Sequence, residues 1–153
     1  MNTGSTKEGS QSRDRGRKAR KRKGLEWVNR FVFKNPVYIA LATSEKAFKR
    51  ELKKLRVPVG DAKFPSGTSL ACVIELERAG GGRVALVCVT PRGKRSKAEM
   101  LGTIVHESVH VFQSICSYIG ERNPSIEFEA YSIEGIVKTL LESYHDQTGD
   151  CLV

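Results

Sequence analysis

The sequence predicts an α+β domain: a small antiparallel sheet or hairpin, followed by two long helices. Three observations predict it. Thr68–Glu77 and Arg83–Thr90 are alternating, partly β-branched runs joined by Ala79-Gly-Gly-Gly82, which is a hairpin pattern. Ser96-Lys-Ala-Glu99 reads as a capping box ahead of an apolar segment with helical period. Asn123-Pro124 opens a second such segment, with Pro expected at its first helical position. A chain of 153 residues suits a single domain and needs no disulfide to hold its core.

The elements follow in order. Residues 1–24 hold nine Lys/Arg, two acids and no apolar periodicity, so they are expected to be a disordered basic tail. Residues 25–153 are then the folded domain. Trp27, Val28, Phe31 and Val32 suggest a short helical lead-in, broken by Pro36. Val37–Ala42 is apolar and partly β-branched, as in a strand. Ser44 caps a helix running to about Leu55, with Phe48, Leu52 and Leu55 on one face. Pro58, Gly60, Pro65 and Gly67 mark a loop. Within the hairpin, Cys72, Ile74 and Leu76 alternate, as do Val84, Leu86 and Cys88. Pro91–Arg95 is a basic turn. The capped helix runs to about Tyr118 and stops at Gly120. The last helix runs to about His145, with an apolar stripe of Ile126, Ala130, Ile133, Val137, Leu140 and Tyr144.

Charge and cysteines limit the function classes. The net charge of +9 is mostly a property of the tail, because residues 25–153 carry 17 basic and 15 acidic residues. Residues 13–23 are a candidate for weak, non-specific contact with nucleic acid through counterion release. They interleave no aromatic residue, which argues against reading of bases. No run resembles an export signal or a membrane span, so a cytoplasmic protein without membrane contact is expected. Cys72, Cys88, Cys116 and Cys151 form no CxxC pair and are read as free thiols. Cys72 and Cys88 fall nearly opposite each other if the hairpin turns at Gly80–Gly82.

The chemistry lies in His106-Glu-Ser-Val-His110, an HExxH pattern inside the capped helix. Positions i and i+4 share a helix face, so both imidazoles can reach one cation. Neutral imidazole nitrogens suit Zn²⁺. Glu107 stands about 100° round the helix from His106, off the ion but near a water that it holds. Such a carboxylate can act as general base on that water. Ile104, Val105, Val109, Val111 and Phe112 surround the motif, and polar groups in that setting need partners. A catalytic zinc also needs a third protein ligand and an open position. The acidic start of the last helix offers Glu127, Glu129 and Glu134, and His145 is the only other histidine. Periodicity does not choose among them.

HExxH followed by Glu127-Phe-Glu-Ala-Tyr-Ser-Ile133 resembles the gluzincin pattern. It is similar to the ImmA/IrrE-type metallopeptidases, whose second helix reads E-x-E-A with an apolar residue three positions on. His106–Tyr144 also looks like a group of small, largely uncharacterised phage and prophage proteins. The resemblance covers about 50 residues of the chain, by the extent of its motif pattern. It implies a minimal zincin-like fold and one catalytic Zn²⁺ held by His106, His110 and Glu127, with Glu107 as base. It also implies a protein or peptide substrate, met in the host cytoplasm if the chain is phage-encoded. Tyr131 stands where gluzincins often carry an acidic or amide residue, so Glu134 is a candidate substitute behind the ligands. Tyr131, Tyr144 and His145 are candidates to help at the oxyanion. Strand 83–90 is a candidate edge for a substrate strand. The alternatives are a non-catalytic regulatory or virion-associated binding protein, or a protease acting on nucleic-acid-bound proteins.

Overall fold

Two apolar runs, each buried on both faces, form the middle of the sheet. In the computed structural model, which describes residues 26–28, 36–57, 62–78 and 81–153, they are Val37–Ala42 (β2) and Arg83–Val89 (β4). Glu26–Val28 (β1) and Ala71–Glu77 (β3) flank them, in the order β1-β2-β4-β3. The tail, residues 29–33 of the helical lead-in, Pro58–Gly60 and the Ala79-Gly80 half of the turn lie outside the described residues.

The chain is α+β, as the pattern predicts, and β3 and β4 form the antiparallel hairpin. The sheet goes further than the hairpin. β2 runs parallel to β4, with Ile39 opposite Ala85 and Ala42 opposite Cys88. β1 joins β2 antiparallel, Trp27 opposite Ala40. Residues 26–28 are therefore strand, not the expected helical lead-in. Three residues cannot close a ladder of i→i+4 bonds, whereas the free side of β2 offers partners at once.

One sheet face carries the helix Glu45–Leu55 (α1), the other carries Lys97–Ile119 (α2) and Ile126–Thr148 (α3). Ser44 caps α1, accepting from the Ala47 N–H at 3.3 Å. Phe48 and Leu52 of α1 pack on Ala40, Ala42, Leu86 and Cys88. Met100, Ile104, Val111 and Ile115 of α2 pack on Ile39, Leu41, Val87 and Val89, with Ile136, Leu140 and Tyr144 of α3. Among the described residues no helix is long and apolar enough to cross a membrane.

The last helix departs from its predicted form in three ways. Ser125 is its cap, accepting from the Phe128 N–H at 3.3 Å, so Pro124 precedes the helix. The end is at Thr148, capped by Gly149 in the left-handed conformation. Its buried side is Ser132, Ile136, Leu140, Ser143, Tyr144 and Gln147, while Ile126 is 85% exposed and Ala130 lies open. The burial of Gln147 explains the shift. Its amide accepts from Thr43 Oγ1 at 2.9 Å and donates to the Leu41 carbonyl at 3.2 Å and Ser143 Oγ at 3.1 Å. A polar residue fully partnered in this way can take a core position.

The far end of α3 is tied to the Pro91–Arg95 turn. Tyr144 Oη accepts from the Arg92 N–H at 2.9 Å, and the Arg92 side chain grips Asp150 at 2.6 and 3.2 Å. That hydrogen-bonded pairing holds the Asp150 carboxyl below its ordinary pKa of 3.8. A depressed carboxyl adds stability above its unfolded value and loses it as pH falls through the lower native one. Asp150→Asn should melt below wild type at neutral pH. The gap should close in acid below 3.8. A gap independent of pH in calorimetry would contradict the pairing.

Candidate metal centre

The middle of α2 places His106, Glu107 and His110, and its two ends are well fixed. Ser96 Oγ accepts from the Glu99 N–H at 3.1 Å while Glu99 accepts from the Ser96 N–H at 2.7 Å. Gly120 closes the other end in the left-handed conformation. Met100, Ile104 and Val111 are core residues spaced by about one or two helical turns, and Glu107 lies in the same stripe. It is 5% exposed. His106 and His110 sit one step round, at the exposed border of that stripe.

The two imidazoles converge. Their Nε2 atoms are 3.1 Å apart, with the rings nearly perpendicular. The Nδ1 of His110 lies 3.1 Å from Gln113 Oε1. An N–H there donates to Gln113 and leaves the Nε2 lone pair free to face His106. Burial pushes the Glu107 carboxyl above its ordinary value, and the two imidazoles pull it part of the way back. A raised carboxyl is a stronger base than a solvated one.

These groups open on a cavity of about 530 Å³ between α2 and β3. Ala71, Cys72, Val73 and Glu75 form its strand wall. Gln113, Ser114 and Ser117 continue the helix wall beyond the histidines. β3 is the outer strand of the sheet on this side, and β4 lies between β2 and β3. The expected docking edge at residues 83–90 is thus corrected: β4 is paired on both sides and has no free edge. Its unbroken Val84–Val89 run marks a strand buried on both faces. Leu70 accepts from the Thr90 N–H and Gly82 from the Arg78 N–H, each at 3.0 Å. Bonded pairs alternate in such a ladder, so Cys72, Ile74 and Leu76 bond β4. The backbone groups of Ala71, Val73 and Glu75 point the other way, to an edge that no strand pairs among the described residues.

The remaining candidates lie elsewhere. Glu127 is exposed in the first turn of α3. Ile136, nine residues after Glu127 and two after Glu134, is buried about 180° and 200° round from them. Both carboxylates therefore stand on the outer side of α3, and Glu134 is paired with Lys138. Glu129 is exposed near the same end. Tyr131 is 61% exposed. His145 is near the other end of α3, where its charge acts on Asp150. Tyr144 is buried, with its hydroxyl bonded to Arg92. None of these residues lines the cavity. Among the described residues, no group of three or more His, Cys, Asp or Glu is close enough to hold an ion. The structure thus brings together His106, Glu107 and His110 and leaves the acidic residues of α3 apart from them.

Glu75, Gln113, Ser114 and Ser117 escaped the sequence reading. The signals were present. Glu75 shares a strand face with Ala71 and Val73, opposite to Cys72, Ile74 and Leu76. Gln113, Ser114 and Ser117 follow His110 at i+3, i+4 and i+7. No protein-family model matches the chain, and searches through curated proteins and solved structures find no match.

Cys72 and Cys88 are directly opposite in the hairpin, and both are free thiols. A hydrogen bond from Cys88 holds the Cys72 thiol below its ordinary value, while that bond and burial push Cys88 up. Cys72 is also half-buried, whereas Cys88 is buried. Iodoacetamide should therefore label Cys72 at lower pH than Cys88. Peptide mass spectrometry over a pH series checks this, and equal labelling curves would contradict it.

Proposed function

We propose that the chain is a zinc-dependent peptidase, with His106 and His110 as ligands of one Zn²⁺ and Glu107 as general base. One observation carries this reading: the two Nε2 atoms converge to 3.1 Å beside a buried carboxylate. Two nitrogens each about 2.0–2.1 Å from one tetrahedral ion stand roughly 3.3 Å apart. The pair needs almost no adjustment to hold it. Gln113 supports the same reading, because an Nδ1–H···O bond orients a ligating imidazole. A bound zinc supplies a Lewis acid and an acidified water.

The third ligand is proposed from α3. Glu127 comes first on the gluzincin-like resemblance of the Glu127–Ile133 segment alone, since it stands on the outer side of α3, away from the two imidazoles. Glu134 is engaged by Lys138, and His145 serves the opposite end of the helix; both rank lower, as does Glu129.

The substrate is a peptide or protein segment in extended form. The outward backbone groups of Ala71, Val73 and Glu75 offer it a ladder along the cavity. Glu107 then takes a proton from the attacking water and delivers it to the leaving amine. Its burial raises its basicity for the first of these steps. A non-catalytic binding protein has no need of a carboxylate in this place, and the cost of burying Glu107 favours the enzyme.

Glu107→Gln should retain zinc and lose at least roughly 10²-fold in turnover, the usual share of a general base. Zinc content and peptide hydrolysis are measured together on one preparation. Turnover surviving in that variant would end the mechanism. Gln113→Leu removes the partner of His110 Nδ1 and should weaken zinc binding by roughly 10–100-fold. Competition titration against a chelator reads this, and unchanged affinity would remove Gln113 from the account.

A further inference from the structure

At one end of the cavity three side chains have no part in the reaction just described. Glu75 forms its strand side, and Ser114 and Ser117 form its helix side. Ser114 differs from four other helical hydroxyls. Thr103, Ser108, Thr139 and Thr148 each donate to the carbonyl four residues back, at 2.8–2.9 Å. Ser114 is 3% exposed, and its hydroxyl has no partner among the described residues. Ser132 is in the same condition but lies outside the cavity wall. A buried hydroxyl on a cavity wall is placed to meet a ligand group.

Glu75 stands at this end because Arg83 fixes it there. Arg83 Nη1 is 3.2 Å from Glu75 Oε2, and the guanidinium carbon is 5.0 Å from the ring centre of Tyr118, the neighbour of Ser117. An ionised carboxylate only accepts, and a serine hydroxyl accepts as well as donates. A ligand that satisfies both must bring donors. A strand added to β3 also points the side chain opposite Glu75 to the same sheet face, toward α2.

We propose that Glu75 and Ser114 form a substrate subsite for a side chain carrying N–H donors, an amide or a cationic group. This rests on the peptidase reading and assigns that site its specificity. The donors bond the Glu75 carboxylate and the Ser114 hydroxyl together, while Val73 and Ala71 hold the backbone nearer Glu107. An apolar side chain in the same place leaves the Ser114 hydroxyl unpaired and takes water from the Glu75 carboxylate without replacing it, and so is rejected.

The test is a randomised peptide library digested by the zinc-loaded full chain. Wild type should select Lys, Arg, Asn or Gln at one position. The readout is the ratio of kcat/KM for a peptide bearing that residue to kcat/KM for its leucine counterpart. Ser114→Ala and, at the more exposed strand position, Glu75→Leu should each cut the ratio by roughly three- to tenfold, the range of one or two lost hydrogen bonds. Ser114→Thr keeps a hydroxyl and should restore it. Circular dichroism verifies that each variant is folded. An unchanged ratio in either Ser114→Ala or Glu75→Leu overturns the subsite and leaves the peptidase reading standing. A wild type that cleaves nothing in the library overturns the peptidase reading, and the subsite with it.

Discussion

The site depends on a carboxylate placed where the helix would otherwise carry a core residue. Met100, Ile104 and Val111 seat α2 on the sheet, and Glu107 falls in the same stripe. Because the stripe is buried, Glu107 is withdrawn from solvent and its carboxyl is pushed up. Because a helix advances by about 100° per residue, His106 and His110 come to the border of the buried surface. They meet each other there and face the open strand β3. The apolar packing of α2 thus orients all three polar groups at once. An unpartnered carboxylate in that position is costly, and the cavity and the two imidazoles offset the cost.

Much of this was legible along the chain, for local reasons. The capping box, the glycine stops and the hairpin each depend on residues within a few positions of one another. Ser96 and Glu99 bond each other as the motif requires, and Cys72 lies opposite Cys88 as the glycine turn implies. His106 and His110 share a face for the same kind of reason. What was missed depended on distant partners. The parallel pairing of β2 with β4 joins residues more than forty positions apart, and it turned the expected edge strand into a central one.

The phase of α3 shows how such errors arise. Counting apolar residues puts Ile126 and Ala130 on the inner side, yet the structure buries Ser132, Ser143 and Gln147 instead. Those polar residues are not marked as core by any hydropathy pattern. Gln147 becomes one because Thr43 and the Leu41 carbonyl, far away in sequence, satisfy its amide. The rotation that follows carries Glu127 and Glu134 to the outer side of the helix. This is why the histidine half of the proposed centre follows from spacing alone and the α3 contribution does not.

In the proposed centre, two imidazole nitrogens one helical turn apart grip a single cation. Zinc-edge X-ray absorption on the purified chain, beside His106→Ala, tests it most directly. The purified chain should carry one zinc, with two imidazole nitrogens at about 2.0–2.1 Å, and the variant should lose that ion. A chain that takes up no zinc, or a variant that keeps the same coordination sphere, would contradict it.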